Sequence, residues 1–225
     1  MKVLKFVVVL LCLIIFSCDL DNDTISFSGT NCVDGQGVVV SESRVLNDFN
    51  GINSSIYGDI LITQGPLEDV ILEAQQNILD EIETNVVNGE LIITSNRCID
   101  IFEPIKVHIT IPDIQNLTLT GVGEFVSQND FSSANLDITL TGTGDFDLKG
   151  TVNNLDILLT GVGDVNAFDL ISDVCNVNVT GVGDIEVFAN EELNVILSGV
   201  GNVFYMGNPD LTINITGSGN VIDSN

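Results

Sequence analysis

The chain has 225 residues, 32 of them acidic and six basic, which gives a formal net charge of −26 at pH 7. Such a surface repels nucleic acid and anionic membrane faces, so we exclude nucleic acid as a partner, and protein charge cannot hold the chain to a membrane. Apolar residues make up 44% of the chain, tryptophan is absent and only four prolines occur. This composition favours an all-β protein with an aliphatic core.

The first 17 residues are predicted to be a signal peptide rather than part of the fold. Lys2 and Lys5 provide a positive start, and the apolar run over residues 7–16 is too short for a membrane-spanning helix. The sequence around Ser17-Cys18 resembles the bacterial lipoprotein cleavage box, although the bulky Phe16 departs from that pattern. The resemblance implies cleavage before Cys18 and lipidation of Cys18. An ordinary secretory signal is the alternative.

Residues 18–29 are then predicted to be a lipidated tether, since they are polar and acidic. Loss of residues 1–17 leaves four basic against 32 acidic residues, a formal net charge of −28. The membrane is therefore expected as a partner only through the N-terminal lipid. The acidic residues that follow Cys18 resemble lipoprotein surface-export signals, which implies an outer-membrane lipoprotein of the cell envelope that is displayed outward.

Residues 30–111 are predicted to be an irregular β-helical region within one continuous domain, 30–225. This part is rich in β-like runs, and residues 77–83 suit one or two helical turns. Asn88-Gly89 is a strong signal for a tight turn between two strands. We expect the region to extend the solenoid with irregular coils and to cover its end, because solenoid ends must be covered.

Residues 112–225 are predicted to be a regular repeat built on a five-residue motif. The motif is a hydroxyl residue, Gly, any residue, Gly, and an acid or amide. Its six copies are Thr120–Glu124, Thr141–Asp145, Thr160–Asp164, Thr180–Asp184, Ser198–Asn202 and Thr216–Asn220. The first glycines of successive copies are 18 to 21 residues apart. A turn signature with this period is typical of a solenoid, in which each coil closes and stacks on the next.

The residues before each motif alternate between apolar and mostly polar. Leu155, Ile157 and Leu159 precede Thr160 at every second position, and Val165 resumes the apolar pattern after the corner. Each coil is therefore predicted to contain two strands with one face buried. We predict a right-handed parallel β-helix with coils of about 18–21 residues, taking the handedness from the general crossover rule. A β-sandwich is disfavoured because no two-residue hairpin signal recurs at this period.

Several segments together resemble the head GIN domain family of auto-transporter adhesins, which is common among Bacteroidota lipoproteins. They are Cys32–Gly37, Phe49–Ile52, Gln64-Gly65, Asn77, Asn88–Leu91 and the Thr-Gly-x-Gly-Asp copies. The resemblance covers residues 30–223. It implies a β-helical fold and an envelope location, but it implies little chemistry.

Two of the five cysteines are predicted to pair. Cys32 and Cys98 both lie in the N-terminal part of an exported chain, where oxidation is favoured, and two reduced buried thiols are the alternative. Cys175 falls in an apolar column and is predicted to be a core residue. A zinc site would need further ligands, and His108 is the one histidine in the sequence.

The last motif position forms a column of acids and amides, one for each coil. Asp145, Asp164 and Asp184 are weak candidates for a calcium site, because calcium binds several carboxylate oxygens. We favour a structural role instead, since Asp and Asn suit turns and the last two coils carry amides. No cofactor is predicted, with weakly bound Ca²⁺ as the alternative. The hydroxyl column is expected to bond locally within each turn.

The sequence shows no catalytic constellation. The basic residues that remain after signal cleavage are scattered, and no pair of acids stands out from the rest. We therefore expect a non-catalytic, lipid-anchored β-helix of the cell envelope that acts as an adhesin or ligand-binding module for a surface glycan or a protein. The alternatives are a glycan-active β-helix enzyme and a purely structural envelope module.

Overall fold

The computed structural model describes residues 32–101 and 104–225. The predicted signal peptide, the lipidation site Cys18 and the predicted tether lie outside these residues. Where the structure is described, it consists almost entirely of strands, and it belongs to one compact unit over Asn31–Asn225. No helix in these two ranges is long and apolar enough to cross a bilayer.

The elements follow one another in short succession along the chain. They are β1 (Val33–Asp34), β2 (Val39–Arg44), β3 (Gly51–Ser54), β4 (Gly58–Gln64), β5 (Asp69–Gln75), α1 (Gln76–Leu79), β6 (Ile82–Val87), β7 (Glu90–Ser95), β8 (Ile99–Asp100), β9 (Ile105–Ile111), β10 (Asn116–Leu119), β11 (Val122–Ser127), β12 (Phe131–Leu140), β13 (Thr143–Asp147), β14 (Gly150–Leu159), β15 (Val165–Val179), β16 (Ile185–Leu197), β17 (Val203–Gly207), β18 (Asp210–Ile215) and β19 (Val221–Asp223).

Parallel stacking of these strands forms a β-solenoid, which confirms the predicted fold class. The strands that precede the corners form one sheet, the pre-corner sheet, in the order β7, β3, β10, β12, β14, the second parts of β15 and β16, and β18. The strands that follow the corners form the post-corner sheet in the order β9, β4, β11, β13, the first parts of β15 and β16, β17 and β19.

The apolar columns read from the sequence lie in register between the two sheets. Leu155, Cys175 and Leu193 are aligned partners in neighbouring coils, and all three are fully buried. Phe125 and Phe146 stack with their ring centroids 5.0 Å apart. Each coil therefore buries its apolar residues on the equivalent residues of the next coil, as the alternating pattern predicted.

The N-terminal part joins the solenoid in an order that differs from the order of the chain. Strand β3 lies between β7 and β10, and β4 lies between β9 and β11, so the first coil in sequence is not the outermost coil in space. Antiparallel strands then extend both sheets, with β5 and β2 added beyond β9 and with β6 added beyond β7. The turn between β6 and β7 has positive φ at Asn88 and Gly89, as the tight-turn signal predicted.

The short helix α1 helps to close the N-terminal end of the core. Its residues Ile78 and Leu79 have no exposed surface, although the helix has only four residues. The inward residues of the coils are buried through Leu197 in the pre-corner sheet and through Val203 in the post-corner sheet, whereas those of β18 are exposed. The two ends of the described solenoid therefore differ in how far their apolar residues are covered.

Glycine is required at the corners because neighbouring coils touch there through their backbones. Gly163 has a φ of +142°, and a Cβ atom on it would lie 1.9 Å from the carbonyl oxygen of Gly144 in the preceding coil. A side chain at this position would both strain the backbone and force the two coils apart.

We expect Gly163→Val to destabilise the solenoid by at least about 3 kcal/mol, because strain and the steric clash with Gly144 act together. The matched control is Val162→Ala at the same corner, where the side chain is 51% exposed and little stability should be lost. Thermal melts of both variants measure the difference. Equal melting temperatures for the two variants would show that the corner tolerates a side chain.

The strand register predicts a large difference between two adjacent positions. Ile157 is 3% exposed and Leu158 is 37% exposed. We expect Ile157→Asp to cost several kcal/mol, since it places an unpaired carboxylate in the apolar core, while Leu158→Asp should change stability by less than about 1 kcal/mol. Chemical denaturation measures both values, and similar losses would contradict the register.

Candidate functional site

The outward side chains of the pre-corner sheet form two aligned columns. One column is mainly acidic and amide, and the other mixes apolar and polar residues. We call these eight residues the ladder face: Asp137, Asp156, Asn176 and Asn194 in the first column, and Thr139, Leu158, Asn178 and Ile196 in the second. They line a shallow depression of about 490 Å³. The sequence pattern places these positions outward, but it does not show that they share a depression.

Hydrogen bonds between coils join three of the four residues in the first column. The Asn176 side-chain nitrogen donates to Asp156 Oδ1 at 2.7 Å, and Asn194 donates to Asn176 Oδ1 at 3.0 Å. Beside them, Leu158 and Ile196 expose apolar surface. An open face that combines fixed polar groups with exposed apolar side chains can both hydrogen-bond a ligand and pack against it.

Burial, followed by the charge of neighbouring acids, raises several carboxyl pKa values along the solenoid. Burial, and then the nearby charge of Asp156, raise the pKa of Asp137. Burial followed by neighbouring acids also raises the pKa of Glu124 and that of Glu186. Of these acids, Asp137 and its neighbour Asp156 lie side by side on the ladder face, and their negative charge disfavours an anionic ligand there.

The hydroxyl column lines a shallow groove along five successive corners. The groove has a volume of about 680 Å³ and is lined by hydroxyl residues, glycines and the variable residues of the motif. The hydroxyls donate across coils, not within the turn as predicted: Thr160 to the Leu140 carbonyl and Ser198 to the Val179 carbonyl, each at 3.4 Å. The prediction was wrong for Thr120, Thr160, Thr180 and Ser198, because a carbonyl of the adjacent coil lies within reach of these hydroxyls.

The acid column bonds to the backbone of the next coil. Asp145 Oδ1 accepts the Asp164 N–H at 2.7 Å, and Asp164 Oδ1 accepts the Asp184 N–H at 2.7 Å. The Asp184 carboxylate accepts the Asn202 N–H in the same way, at 2.6 Å. A side-chain oxygen thus supplies the acceptor for each of these corner N–H groups.

The weak calcium candidates Asp145, Asp164 and Asp184 are therefore already engaged with the backbone. Among residues 32–101 and 104–225, no three His, Cys, Asp or Glu side chains come together as a group that could hold a metal ion. The preference for a structural role over a cation site remains a prediction, and the hydrogen bonds of the column support it.

The cysteines occupy two different environments. Cys32 and Cys98 form a disulfide with their Cα atoms 4.5 Å apart, across 66 residues of sequence. Cys175 is buried, and burial, followed by the charge of Asp156, raises the pKa of its thiol to about 12 despite a hydrogen bond with Ser172. The Cys175 thiol is therefore expected to be unreactive at neutral pH.

The acid column generates a prediction on Asp164. We expect Asp164→Asn to have little effect, because an amide oxygen can still accept the Asp184 N–H, whereas Asp164→Ala should cost about 1 kcal/mol. Thermal melts with and without calcium measure both effects. A calcium-dependent rise in melting temperature that disappears when Asp145, Asp164 and Asp184 are all changed to Asn would make the column a metal site.

The raised pKa values predict that stability falls as the pH rises. Glu124 and Glu186 have pKa values above the ordinary value of 4.5. The contribution of these two glutamates to the free energy of unfolding is complete below their pKa in the unfolded chain. It is lost as the pH rises through their pKa in the folded chain. The melting temperature should therefore decrease as the pH rises above 4.5, and the double variant Glu124→Gln, Glu186→Gln should reduce this slope. An unchanged slope would show that the two glutamates are not responsible.

Solved structures share this architecture. A crystal structure called a "putative adhesin", from Bacteroides fragilis NCTC 9343, is 23% identical, with a TM-score of 0.70 over 85% of this chain and 99% of that chain. Another, called a "putative lipid binding protein", from Parabacteroides distasonis ATCC 8503, is 17% identical, with a TM-score of 0.51 over 85% of this chain and 96% of that chain. At these identities the similarity shows the fold alone. No curated protein matches the chain in sequence.

A sequence family spans most of the solenoid. Its description reads "Putative auto-transporter adhesin, head GIN domain", and it matches residues 48–209. The matched region begins just before β3 and ends just before β18, so it contains nearly all the coils described above. It also confirms the resemblance found from the sequence segments and the repeated corners. Since the match covers well over half of its length, the chain belongs to the head GIN domain family.

Proposed function

We propose that this protein is a non-catalytic, lipid-anchored adhesin of the cell envelope that binds an extended surface ligand, a glycan or a protein, along the ladder face. The observation that carries the proposal is the alignment of fixed polar groups beside exposed Leu158 and Ile196 in four successive strands. Such a repeating surface suits a ligand that is itself extended, since each coil offers similar contacts at a spacing of about 4.8 Å.

The carboxyl pair Asp137 and Asp156 is the feature that most favours a glycan-active enzyme as the second candidate. The two residues are aligned partners in neighbouring strands, and the pKa of Asp137 is raised. A pair with one protonated and one ionised carboxyl resembles a glycosidase pair. The pair lies on an open sheet face, however, where no walls surround a sugar ring or keep out water. We therefore favour binding over hydrolysis.

Family membership supports an envelope location for this protein. The matching family is described in terms of adhesins, and the sequence of the first 18 residues resembles a lipoprotein signal. We extend this to an outer-membrane lipoprotein that is anchored through Cys18 and displayed at the cell surface.

The anchor can be tested with the single substitution Cys18→Ala. The variant should move from the membrane fraction to the soluble envelope fraction, because a stable anchor requires the acyl chains. Cell fractionation followed by a salt wash measures the change, with protease treatment of intact cells as the assay for outward display. A variant that still sediments with washed membranes would show that Cys18 is not the anchor.

The binding function is tested on an array of surface glycans and extracellular proteins. We expect the array to retain the full chain. The double variant Leu158→Ala, Ile196→Ala should bind the same ligand at least about tenfold more weakly, which corresponds to a loss of about 1.4 kcal/mol in binding free energy. The matched control is Ile171→Ala, because Ile171 is also exposed but lies outside the ladder face.

Two other results would contradict the proposal. Release of products from a glycan by the wild-type chain, with loss of that release in Asp156→Asn, would favour the enzyme. Retention on no member of the array would favour a purely structural envelope module.

A further inference from the structure

The last coil of the solenoid leaves its inward apolar residues exposed. Leu211, Ile213 and Ile215 of β18 are 42%, 44% and 41% exposed. Their aligned partners in the preceding coil, Leu193, Val195 and Leu197, are at most 1% exposed. Both coils follow the same pattern, and among the described residues no other coil lies against the open side of β18, so these side chains are exposed.

The backbone of this coil is also open on one side. In the described part of the chain, β18 pairs only with β16 and β19 pairs only with β17, so each strand has one edge without a partner. Exposed edge strands are usually protected by lysines, bulges or inward-pointing charges. The six residues of β18 contain a single charge, Asp210, at the first position, and the inward residues are all aliphatic.

The charge of this end is low for so acidic a protein. Residues 198–225 contain two acids, Asp210 and Asp223, and no basic residue, whereas the whole chain has 32 acids. Two such ends can therefore approach each other without the repulsion that other surfaces of this chain would produce. Low charge, exposed aliphatic side chains and open strand edges occur together on one face.

The opposite end of the solenoid does not offer an equivalent surface. Ile78 and Leu79 of α1 are fully buried there, and the antiparallel strands β2, β5 and β6 extend beyond the last parallel coil. The outermost strand β2 carries the ion pair between Glu42 and Arg44. Head-to-tail stacking would set this polar end against the aliphatic residues of β18, and it is therefore disfavoured.

We propose that the face of the last coil is a self-association surface on which a second copy of this chain docks tail to tail. The two β18 strands pair antiparallel across a twofold axis, as an isologous interface requires. The same face of another copy has the same width and the same row of aliphatic side chains, and it therefore matches this surface. The proposal does not depend on the adhesin function or on the lipid anchor.

The aliphatic residues define the register of this pairing. Centring the twofold axis on Ile213 sets Ile213 opposite its copy and sets Leu211 opposite Ile215, so that all three are covered in both chains. On the outward side, Thr212 then lies opposite Asn214 of the other copy. A six-residue strand is about 20 Å long and the two sheets are about 10 Å apart. The buried area therefore falls in the range of weak, reversible interfaces, below about 1,200 Å² in total.

The first test compares two isoleucines of similar exposure in neighbouring coils. Ile213→Glu places two carboxylates opposite each other in the proposed interface, while the control Ile196→Glu changes an outward residue that is 50% exposed. Sedimentation velocity of the full chain in mild detergent, over a series of protein concentrations, should show a reversible dimer for the wild type and the control. Ile213→Glu should weaken the association at least about tenfold.

The same measurement can contradict the proposal in two ways. A wild-type chain that stays monomeric at all concentrations would refute it, and so would equal dimerisation of the wild type and Ile213→Glu. A monomer in which β18 is nevertheless protected from hydrogen exchange would show that another segment of the same chain covers the face.

The second test uses disulfide formation and does not depend on changing the aliphatic residues. An equimolar mixture of Thr212→Cys and Asn214→Cys chains should give more disulfide-linked dimer under mild oxidation than either variant alone, because paired residues on adjacent strands lie within disulfide range. The control is a mixture of Asn176→Cys and Asn178→Cys chains, whose positions lie on the same outward columns in an inner coil. Equal cross-linking in the two mixtures would refute the register.

Discussion

Direct contact between the backbones of neighbouring corners is the constraint on which this solenoid depends. The glycines that follow the variable residue of each motif lie so close to the coil below that added Cβ atoms on Gly144 and Gly183 would be 1.7 and 1.8 Å from a carbonyl oxygen. Because no side chain separates the coils there, each corner must lie directly over the one before it. This alignment fixes the register of both strands that leave the corner, and so it aligns every inward and outward column.

Exact repetition of the columns has opposite consequences for polar and for charged residues. Amides gain from it, since Asn176 and Asn194 each donate to the equivalent residue of the preceding coil. Acids are brought close to other acids, and after burial this is the second cause of the raised pKa of Glu186. The corner aspartates avoid part of this cost because each carboxylate accepts a backbone N–H. The same repetition provides the proposed ligand with similar contacts in successive coils.

Much of the architecture could be predicted because it is encoded locally. The alternation around Ile157 and the recurring corners define strand, turn and buried face within a single coil, so the regular part required no long-range information. The position of β3 and β4 between coils that come later in the chain could not be predicted, since no local pattern states which coil becomes a neighbour. For the same reason the pattern shows that Leu211 faces inward, but not that a covering coil is lacking.

The candidate site was less predictable than the fold. The outward positions of Asp156, Asn176 and Leu158 follow from the alternation, but the depression they share depends on side-chain sizes in four different coils. The corner hydrogen bonds were also missed, because the acceptor for the Asp184 N–H is a side chain about one coil away in sequence. Contacts of this kind depend on the stacking distance between coils, which no single repeat contains.

The disulfide between Cys32 and Cys98 determines how the molecule would bear a mechanical load. Cys32 precedes every described strand, and Cys98 lies between β7 and β9, the outermost parallel strands of the two sheets. Tension applied to the chain from its N-terminal side reaches Cys98 through a covalent bond before it can act on the hydrogen bonds of β2. The segment between the two cysteines is thereby shielded from direct pulling, and the force passes onward to the coils that follow β9. In the proposed adhesin, this arrangement would keep the N-terminal closure of the core intact while the attachment is under strain.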